Sequence, residues 1–141
     1  MSSEQTFRIH NRPRDVTTVL NRVEEFCRVH GFATATTLDV RLVAEEVLTN
    51  VVKYAYEEVG DDAVELRVSV SSQSVRMEFR DGGAPFNPLD VPAPEPSNRT
   101  GEREIGGLGI HLVRSLVDDA SYSREGNVNV LVLIKHVEST V

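Results

Sequence analysis

The sequence predicts an α+β fold, a two-layer α/β sandwich in which a mostly antiparallel sheet of about five strands carries three helices on one face. Three segments repeat apolar residues at α-helical spacing, and several shorter segments alternate apolar with polar residues. Such alternation is typical of strands with one solvent-exposed face, whose apolar face needs helices to cover it. Because helices and strands do not alternate as βαβ units, the glycines are not expected to form a Rossmann turn.

A short strand and a long helix are predicted in the first thirty residues. Residues 6–9 form the strand, with its two apolar side chains on one face. Pro13 suits the first turn of a helix that runs to about His30, because its fixed φ fits a helix start and its missing N–H is not needed there. Gly31 then provides the helix stop.

A second helix and a β-hairpin are predicted next. The helix covers residues 36–57 and ends before Gly60. Residues 64–70 and 75–80 alternate apolar with polar side chains on either side of a polar turn, which predicts two paired strands. The buried stripe of the helix comprises Val40, Val43, Ala44, Val47, Val51 and Ala55.

The last third of the chain is predicted to contain a long loop, a third helix and two more strands. Residues 84–104 hold five of the six prolines and show almost no periodicity. A loop of this length in a compact domain is usually a functional lid or disordered. The helix is predicted over residues 107–118, and the strands over residues 120–124 and 127–136.

The composition predicts one globular domain over residues 1–141 and limits its partners. Fifteen Lys and Arg against 22 Asp and Glu give a formal charge of −7, so we expect no direct nucleic-acid binding, which needs a basic face. Cys27 is the only cysteine, which excludes an intrachain disulfide and suits a reducing compartment. No apolar run is long enough to span a bilayer, and no signal-peptide core is visible. We therefore expect a cytoplasmic protein without a membrane partner.

Glu46 and Asn50 are the first residues whose spacing points to chemistry. They stand at positions i and i+4 of the second helix, so they share one face, and Lys53 continues the same row. A carboxylate, an amide oxygen and an ammonium could together face a polyphosphate with its Mg²⁺, which prefers oxygen ligands. Taken alone, the same residues are more often a solvated helix face.

Two glycine motifs follow in a fixed order. Asp81-Gly82-Gly83 ends a strand, where a carboxylate can accept a hydrogen bond from an adenine amine while glycines let the base approach. Gly106-Gly107-Leu108-Gly109 opens the third helix, whose free amides can bind phosphate oxygens. Alone, the first motif is also a common turn and the second a hinge for a lid. One nucleotide pocket needs all three motifs, and their order favours it.

These motifs resemble the boxes of the GHKL ATPase superfamily. Residues 42–56 resemble its N-box, residues 80–86 its G1 box and residues 106–110 its G2 box. The length of the chain and the Gly-Gly-Leu-Gly-Ile sequence are most similar to the RsbW-type anti-sigma-factor serine kinases. The resemblance implies a Bergerat fold that binds ATP and Mg²⁺ under a lid at about residues 84–105.

The resemblance also implies roles for individual residues. Glu46 would be the general base, Asn50 the magnesium ligand and Asp81, beside Gly83, the adenine reader. Lys53 would approach a phosphate and Tyr54 would lie near the nucleotide. The phosphates would meet the third helix at Gly106, Gly107, Leu108 and Gly109.

Two positions depart from the family pattern, and a third feature of the pattern has two candidate residues. Ile105 stands where many members have a glycine. Members commonly place a Thr of the last strand near the adenine, and either Asn127 or Asn129 could replace it here. A lid arginine that reaches the γ-phosphate would be Arg103, with Arg99 as the second candidate.

The function that the resemblance implies is an ATP-binding anti-sigma regulatory factor. Factors of this type are protein serine/threonine kinases. They phosphorylate a serine of an anti-anti-sigma (STAS) partner and can sequester a sigma factor, usually as homodimers. The alternative is a nucleotide-gated partner-binding switch that holds ATP or ADP and a regulator without physiological phosphotransfer. Both functions need the same pocket.

Overall fold

The computed structural model of the protein describes residues 3–10, 12–55, 63–90 and 107–137. This part of the chain contains five strands and three α-helices, and the predicted α+β fold class is confirmed. The elements in chain order are β1 (Ser3–His10), α1 (Pro13–Val29), α2 (Thr34–Asn50), β2 (Ala63–Val70), β3 (Ser74–Asp81), α3 (Gly107–Leu116), β4 (Asp119–Glu125) and β5 (Val128–His136).

The five strands form one sheet in the order β1-β2-β3-β5-β4, and every neighbouring pair is antiparallel. β3 therefore pairs with β2 on one side and with β5 on the other. Two strands distant in the chain are brought together at the centre of the sheet. Their register places Asp81, the last residue of β3, directly opposite Asn129 of β5.

The core lies between one face of the sheet and the helices. Leu66 of β2, Phe79 of β3 and Leu133 of β5 are almost completely buried, and they cluster with Val23 of α1 and Val43 of α2. Residues that alternate with these on the strands lie on the opposite face. This one-sided burial is the reason why the alternating sequence pattern predicted strands covered by helices.

Charged side chains occupy the outer face of the sheet. Glu78 of β3 is nearly buried there because Arg76 and Arg80, on the same strand, cover it. Arg76 Nη2 donates to Glu78 at 2.9 Å and Arg80 Nη1 donates at 3.1 Å. These hydrogen bonds lower the pKa of Glu78, against the effect of burial, which alone would raise it.

The predicted second helix is interrupted where the site begins. α2 ends at Asn50 and continues as a π-helical turn, Val51–Ala55. The prediction of a regular α-helix was wrong from residue 51, because an apolar stripe does not distinguish i+4 from i+5 hydrogen bonding. Residues 56 and 57 of that prediction lie outside the described residues.

α3 and the loop after β3 are fixed to the rest of the domain. Arg114 Nη2 donates to the carbonyl of Leu89, which lies in a 3₁₀ turn, Pro88–Asp90. Lys135 Nζ donates to the carbonyl of Leu116 at the C-terminal end of α3. The start of the predicted lid is thus packed, and its remainder, residues 91–105, lies outside the described residues. None of the helices in the described ranges is both long and apolar enough to cross a membrane.

Candidate functional site

Asp81 is a buried carboxylate at the end of β3, with only 5% of its surface exposed. Its Oδ1 accepts a hydrogen bond from the Gly83 N–H at 3.0 Å and another from Asn129 Nδ2 at 3.0 Å. Burial raises the pKa of Asp81, while these two bonds and the charge of Arg124 oppose that rise. The Asp81 carboxylate is thus a hydrogen-bond acceptor held in a fixed orientation at the end of β3, the central strand of the sheet.

Asn129, and not Asn127, is the asparagine of the hairpin that reaches Asp81. Asn129 is 2% exposed, whereas Asn127 lies in the exposed β4–β5 turn. Besides its bond to Asp81, Asn129 Nδ2 donates to the carbonyl of Ala84 at 2.8 Å. Its Oδ1 accepts from the Phe86 N–H at 3.2 Å. The side-chain amide therefore pairs with the backbone of the loop after β3, as a neighbouring strand would.

Two side chains of β4 complete this cluster. Arg124 Nη1 donates to the Gly83 carbonyl at 2.8 Å and to Asn129 Oδ1 at 3.1 Å. The Tyr122 hydroxyl also donates to Asn129 Oδ1. Our sequence analysis missed both residues. The Gly126-Asn127 turn was the available signal, because the hairpin register that it sets places Arg124 directly opposite Asn129.

Glu46 and Asn50 lie on successive turns of α2, as their spacing predicted. Asn50 is 1% exposed, and its Nδ2 donates to the backbone carbonyl of Glu46 at 2.6 Å. Asn50 Oδ1 is buried and accepts no hydrogen bond within the described residues. Leaving a buried acceptor unpaired costs about 1–3 kcal/mol, so a ligand that pairs with this oxygen would recover that energy.

The side chain of Glu46 is half-buried next to this asparagine. Burial raises the pKa of Glu46, and the negative charge of Glu45 adds to the rise. A carboxylate with a raised pKa holds a proton more readily than an ordinary glutamate. This property suits a general base, whose pKa should approach the working pH.

The oxygen of Asn50 fits a magnesium ion by an observation of the structure itself. Mg²⁺ takes oxygen ligands and commonly retains several waters, so one amide oxygen with phosphate oxygens can complete a site. Asn50 Oδ1 is such an oxygen, and its orientation is fixed because the amide nitrogen is bonded to Glu46.

Lys53 and Tyr54 lie in the π-helical turn that follows Asn50. The Lys53 side chain is exposed. A π-helical turn replaces i+4 by i+5 hydrogen bonds, so the α-helical spacing that predicted the Glu46–Asn50–Lys53 row applies only as far as Asn50. The structure does not describe the side chain of Tyr54.

The glycine motif is described only in part. α3 begins at Gly107, as predicted, so Gly107 and Gly109 lie in its first turn, where backbone N–H groups lack intrahelical partners. α3 packs against α2. Gly106, Arg99 and Arg103 lie outside the described residues, as does the side chain of Leu108.

Comparison with known proteins identifies the family. The family model described as "Histidine kinase-like ATPase domain" matches residues 9–135. The serine/threonine-protein kinase BtrW of Bordetella bronchiseptica is 28% identical over 95 residues, which cover 67% of this chain and 67% of that protein. The serine-protein kinase RsbW of Bacillus cereus is 28% identical over 113 residues, which cover 72% of this chain and 66% of that protein.

The chain thus spans about two thirds of the length of these two relatives. The family match, by contrast, extends from β1 to β5 and includes both the Asp81 cluster and the Glu46–Asn50 pair. The resemblance that the three motifs predicted is confirmed at the level of the family. The chain belongs to the histidine kinase-like ATPase domain family.

Proposed function

We propose that the chain is an ATP-binding anti-sigma regulatory factor that acts as a protein serine/threonine kinase. It phosphorylates a serine of an anti-anti-sigma (STAS) partner and sequesters a sigma factor. The family and the two relatives named as serine kinases support this proposal. The observation that carries it is the buried Oδ1 of Asn50, which accepts no hydrogen bond from the part of the chain that the structure describes and lies one helical turn from Glu46.

In this proposal the adenine binds at the end of β3. Asp81 accepts a hydrogen bond from the exocyclic amine, and Gly83 leaves room for the base. Tyr54 lies near the nucleotide. The burial of Asp81 and the two hydrogen bonds to its Oδ1 support the assignment, because they hold the carboxylate in one orientation at the end of β3.

The phosphates bind at the start of α3. The backbone from Gly106 to Gly109, with Leu108 between the glycines, offers N–H groups to the phosphate oxygens. Lys53 and the lid arginine Arg103 supply positive charge to the same group. Asn50 Oδ1 would hold Mg²⁺, which when bound neutralises negative charge on the phosphates.

Glu46 acts on the acceptor. Its carboxylate takes the proton of the partner's serine hydroxyl while the serine oxygen attacks the γ-phosphorus, and ADP leaves with the bridging oxygen. The raised pKa of Glu46 supports this role. Most of the acceleration comes from positioning and charge compensation. The active form is a homodimer.

Incubation of the protein with radiolabelled ATP, Mg²⁺ and a STAS-domain partner tests the proposal. The wild type is expected to label a serine of the partner. Glu46→Gln keeps the shape of the side chain but removes the base, so labelling should fall by about 10²–10⁴-fold while ATP binding is retained. Glu25→Gln changes an exposed glutamate of α1, so it is the control and should label the partner at the wild-type rate.

Each other outcome is informative. Labelling by Glu46→Gln at the wild-type rate would contradict the assignment of the base. A stable nucleotide-dependent complex without any label would replace the kinase with the partner-binding switch. Failure of the wild type to bind ATP would reject both functions.

A further inference from the structure

Arg124 lies at one end of a row of side chains that crosses three strands. The row runs from Asp81 of β3 through Asn129 of β5 to Arg124 of β4, each directly opposite the next. Directly opposite residues on one face of a sheet are in contact range. No role of the nucleotide site described above requires a residue of β4, so this arginine remains to be explained.

Arg124 holds both of the groups that donate to Asp81 Oδ1. One donor is the Gly83 N–H, and Arg124 Nη1 binds the carbonyl of the same glycine at 2.8 Å. The other donor is Asn129 Nδ2, and Arg124 Nη1 binds the Oδ1 of that amide at 3.1 Å. The arginine thus acts on the carboxylate through both of its neighbours.

The guanidinium is itself held in place by the hairpin. Arg124 Nε donates to the carbonyl of Gly126 at 3.3 Å, in the β4–β5 turn. Gly126 has a φ of 61°, a left-handed conformation that glycine adopts without strain and that fixes the turn. A planar guanidinium anchored at Nε presents its remaining N–H groups in a fixed direction, which a flexible ammonium does not.

An amide can rotate by half a turn, and Arg124 is one of the groups that select the orientation of Asn129. Its Oδ1 accepts from Arg124, from the Tyr122 hydroxyl and from the Phe86 N–H, and all three are donors. Rotation would face the amide nitrogen toward these donors and its oxygen toward the carboxylate of Asp81. The donors therefore select the orientation in which Nδ2 faces Asp81.

We propose that Arg124 is a positioning residue for the adenine-reading carboxylate, which it holds in its binding orientation through Gly83 and Asn129 without touching the nucleotide. The inference rests on the proposed adenine site at Asp81. The positive charge of Arg124 also opposes the rise in the pKa of Asp81, and it therefore favours the ionised carboxylate that accepts the hydrogen bond.

A comparison of ATP with inosine triphosphate tests this role. The inosine base lacks the exocyclic amine that Asp81 would bind, so only ATP should depend on the position of the carboxylate. Arg124→Ala is expected to weaken ATP binding by about tenfold, as one lost hydrogen bond to a charged group would. Its affinity for inosine triphosphate should stay within about twofold of the wild type, so the preference for ATP falls.

Two further variants make the test decisive. Arg76→Ala removes an arginine from the outer face of the same sheet, where it binds Glu78, and should keep the wild-type preference. Arg124→Lys keeps the charge but not the planar donor geometry, and should lose part of the preference. Circular dichroism shows whether Arg124→Ala folds. If it does not, the nucleotide preference of Arg124→Lys tests the positioning role instead.

A wild-type preference for ATP in both Arg124 variants would overturn the inference and leave the proposed function intact. A wild type that binds neither nucleotide, or both equally, would instead reject the adenine site at Asp81 on which the inference rests.

Discussion

Asp81 shows how a single ionisable residue can be placed at a cost to stability. The fold buries its carboxylate, and burial raises its pKa despite hydrogen bonds from Gly83 and Asn129. The folded state therefore holds the proton more tightly than the unfolded chain does. Stability falls as the pH rises from the unfolded pKa to the folded pKa, and the full cost remains above that interval.

Asp81→Asn is expected to remove this cost. The amide has nearly the shape of the protonated carboxylate and can still accept from Gly83 and Asn129 through its oxygen. The free energy of unfolding of the variant, relative to that of the wild type, should be larger at about pH 7 than at about pH 3. Urea unfolding at both pH values measures it, and a relative stability that does not change with pH would contradict the account.

The cause of the raised pKa of Glu46 can be tested on the protein alone, without a partner or a nucleotide. Its neighbour Glu45 contributes to the rise through its charge, after burial. Glu45→Gln should therefore lower the pKa of Glu46, and a reaction that needs the Glu46 carboxylate should persist to lower pH. Carboxyl ¹³C NMR titration measures the shift, with Glu25→Gln on α1 as the control that should leave the Glu46 pKa unchanged.

At the residue scale, the sequence predicted the groups that depend on local spacing. Glu46 and Asn50 are four residues apart on one helix, and Asp81 ends an alternating strand. The positions of all three residues can therefore be inferred without knowledge of the fold. The choice of Asn129 over Asn127, and the part played by Arg124, depend on how β5 pairs with β3 and β4. Periodicity does not determine those pairings.

At the element scale, α1 and β1 form the side of the domain farthest from β4. β1 is an edge strand that pairs only with β2 in the described sheet, and Phe7 on its inner face meets Phe26 of α1. The centroids of the two rings are 6.4 Å apart in an edge-to-face arrangement, and both side chains are buried. Aromatic packing therefore holds the first helix over the edge of the sheet.

Phe26→Ala should destabilise the protein by about 3–5 kcal/mol, because it removes a buried aromatic ring and leaves a cavity. Val29→Ala is the matched control on the same helix, since Val29 is 70% exposed, and it should change stability by less than about 0.5 kcal/mol. Equilibrium unfolding in urea compares the two variants. Equal effects would show that the Phe7–Phe26 contact does not hold α1 in place.

The elements themselves were largely predictable, with one informative exception. Period-two and helical patterns identified all five strands and three helices of the described residues, because each buries only one face. The π-helical turn Val51–Ala55 was not predictable, since its apolar residues also fit a continuous α-helix. A π-helical turn is often found at a functional site, and this one directly follows Asn50.

At the scale of the whole molecule, sheet order assembles the site. β3 and β5 are neighbours although α3 and β4 lie between them in sequence, and this arrangement unites Asp81 with Asn129. The sequence predicted a mostly antiparallel sheet but no strand order, because order is decided by packing of distant segments. The family match over residues 9–135 agrees with a pocket that needs nearly the whole chain.

Nucleotide binding should therefore stabilise the entire domain. MgATP at about 100 times its Kd is expected to add roughly 2.7 kcal/mol to the free energy of unfolding. Replacing Mg²⁺ with EDTA should reduce this gain in the wild type. In Asn50→Ala the gain should be the same with Mg²⁺ and with EDTA, because the proposed metal ligand is gone. Thermal unfolding measures all four conditions, and a variant that retains the magnesium dependence would exclude Asn50 as the ligand.

The most direct test of the nucleotide site is a calorimetric titration of the wild type and Asp81→Asn with ATP in the presence of Mg²⁺. The wild type should bind one ATP per chain. Asp81→Asn, which should be folded at neutral pH, should bind at least about tenfold more weakly. Its amide oxygen is held by the Gly83 and Asn129 donors, so its NH2 group would face the adenine amine, which is also a donor. Equal affinities for the two proteins, or no binding by the wild type, would contradict the assignment of Asp81 as the residue that reads the adenine.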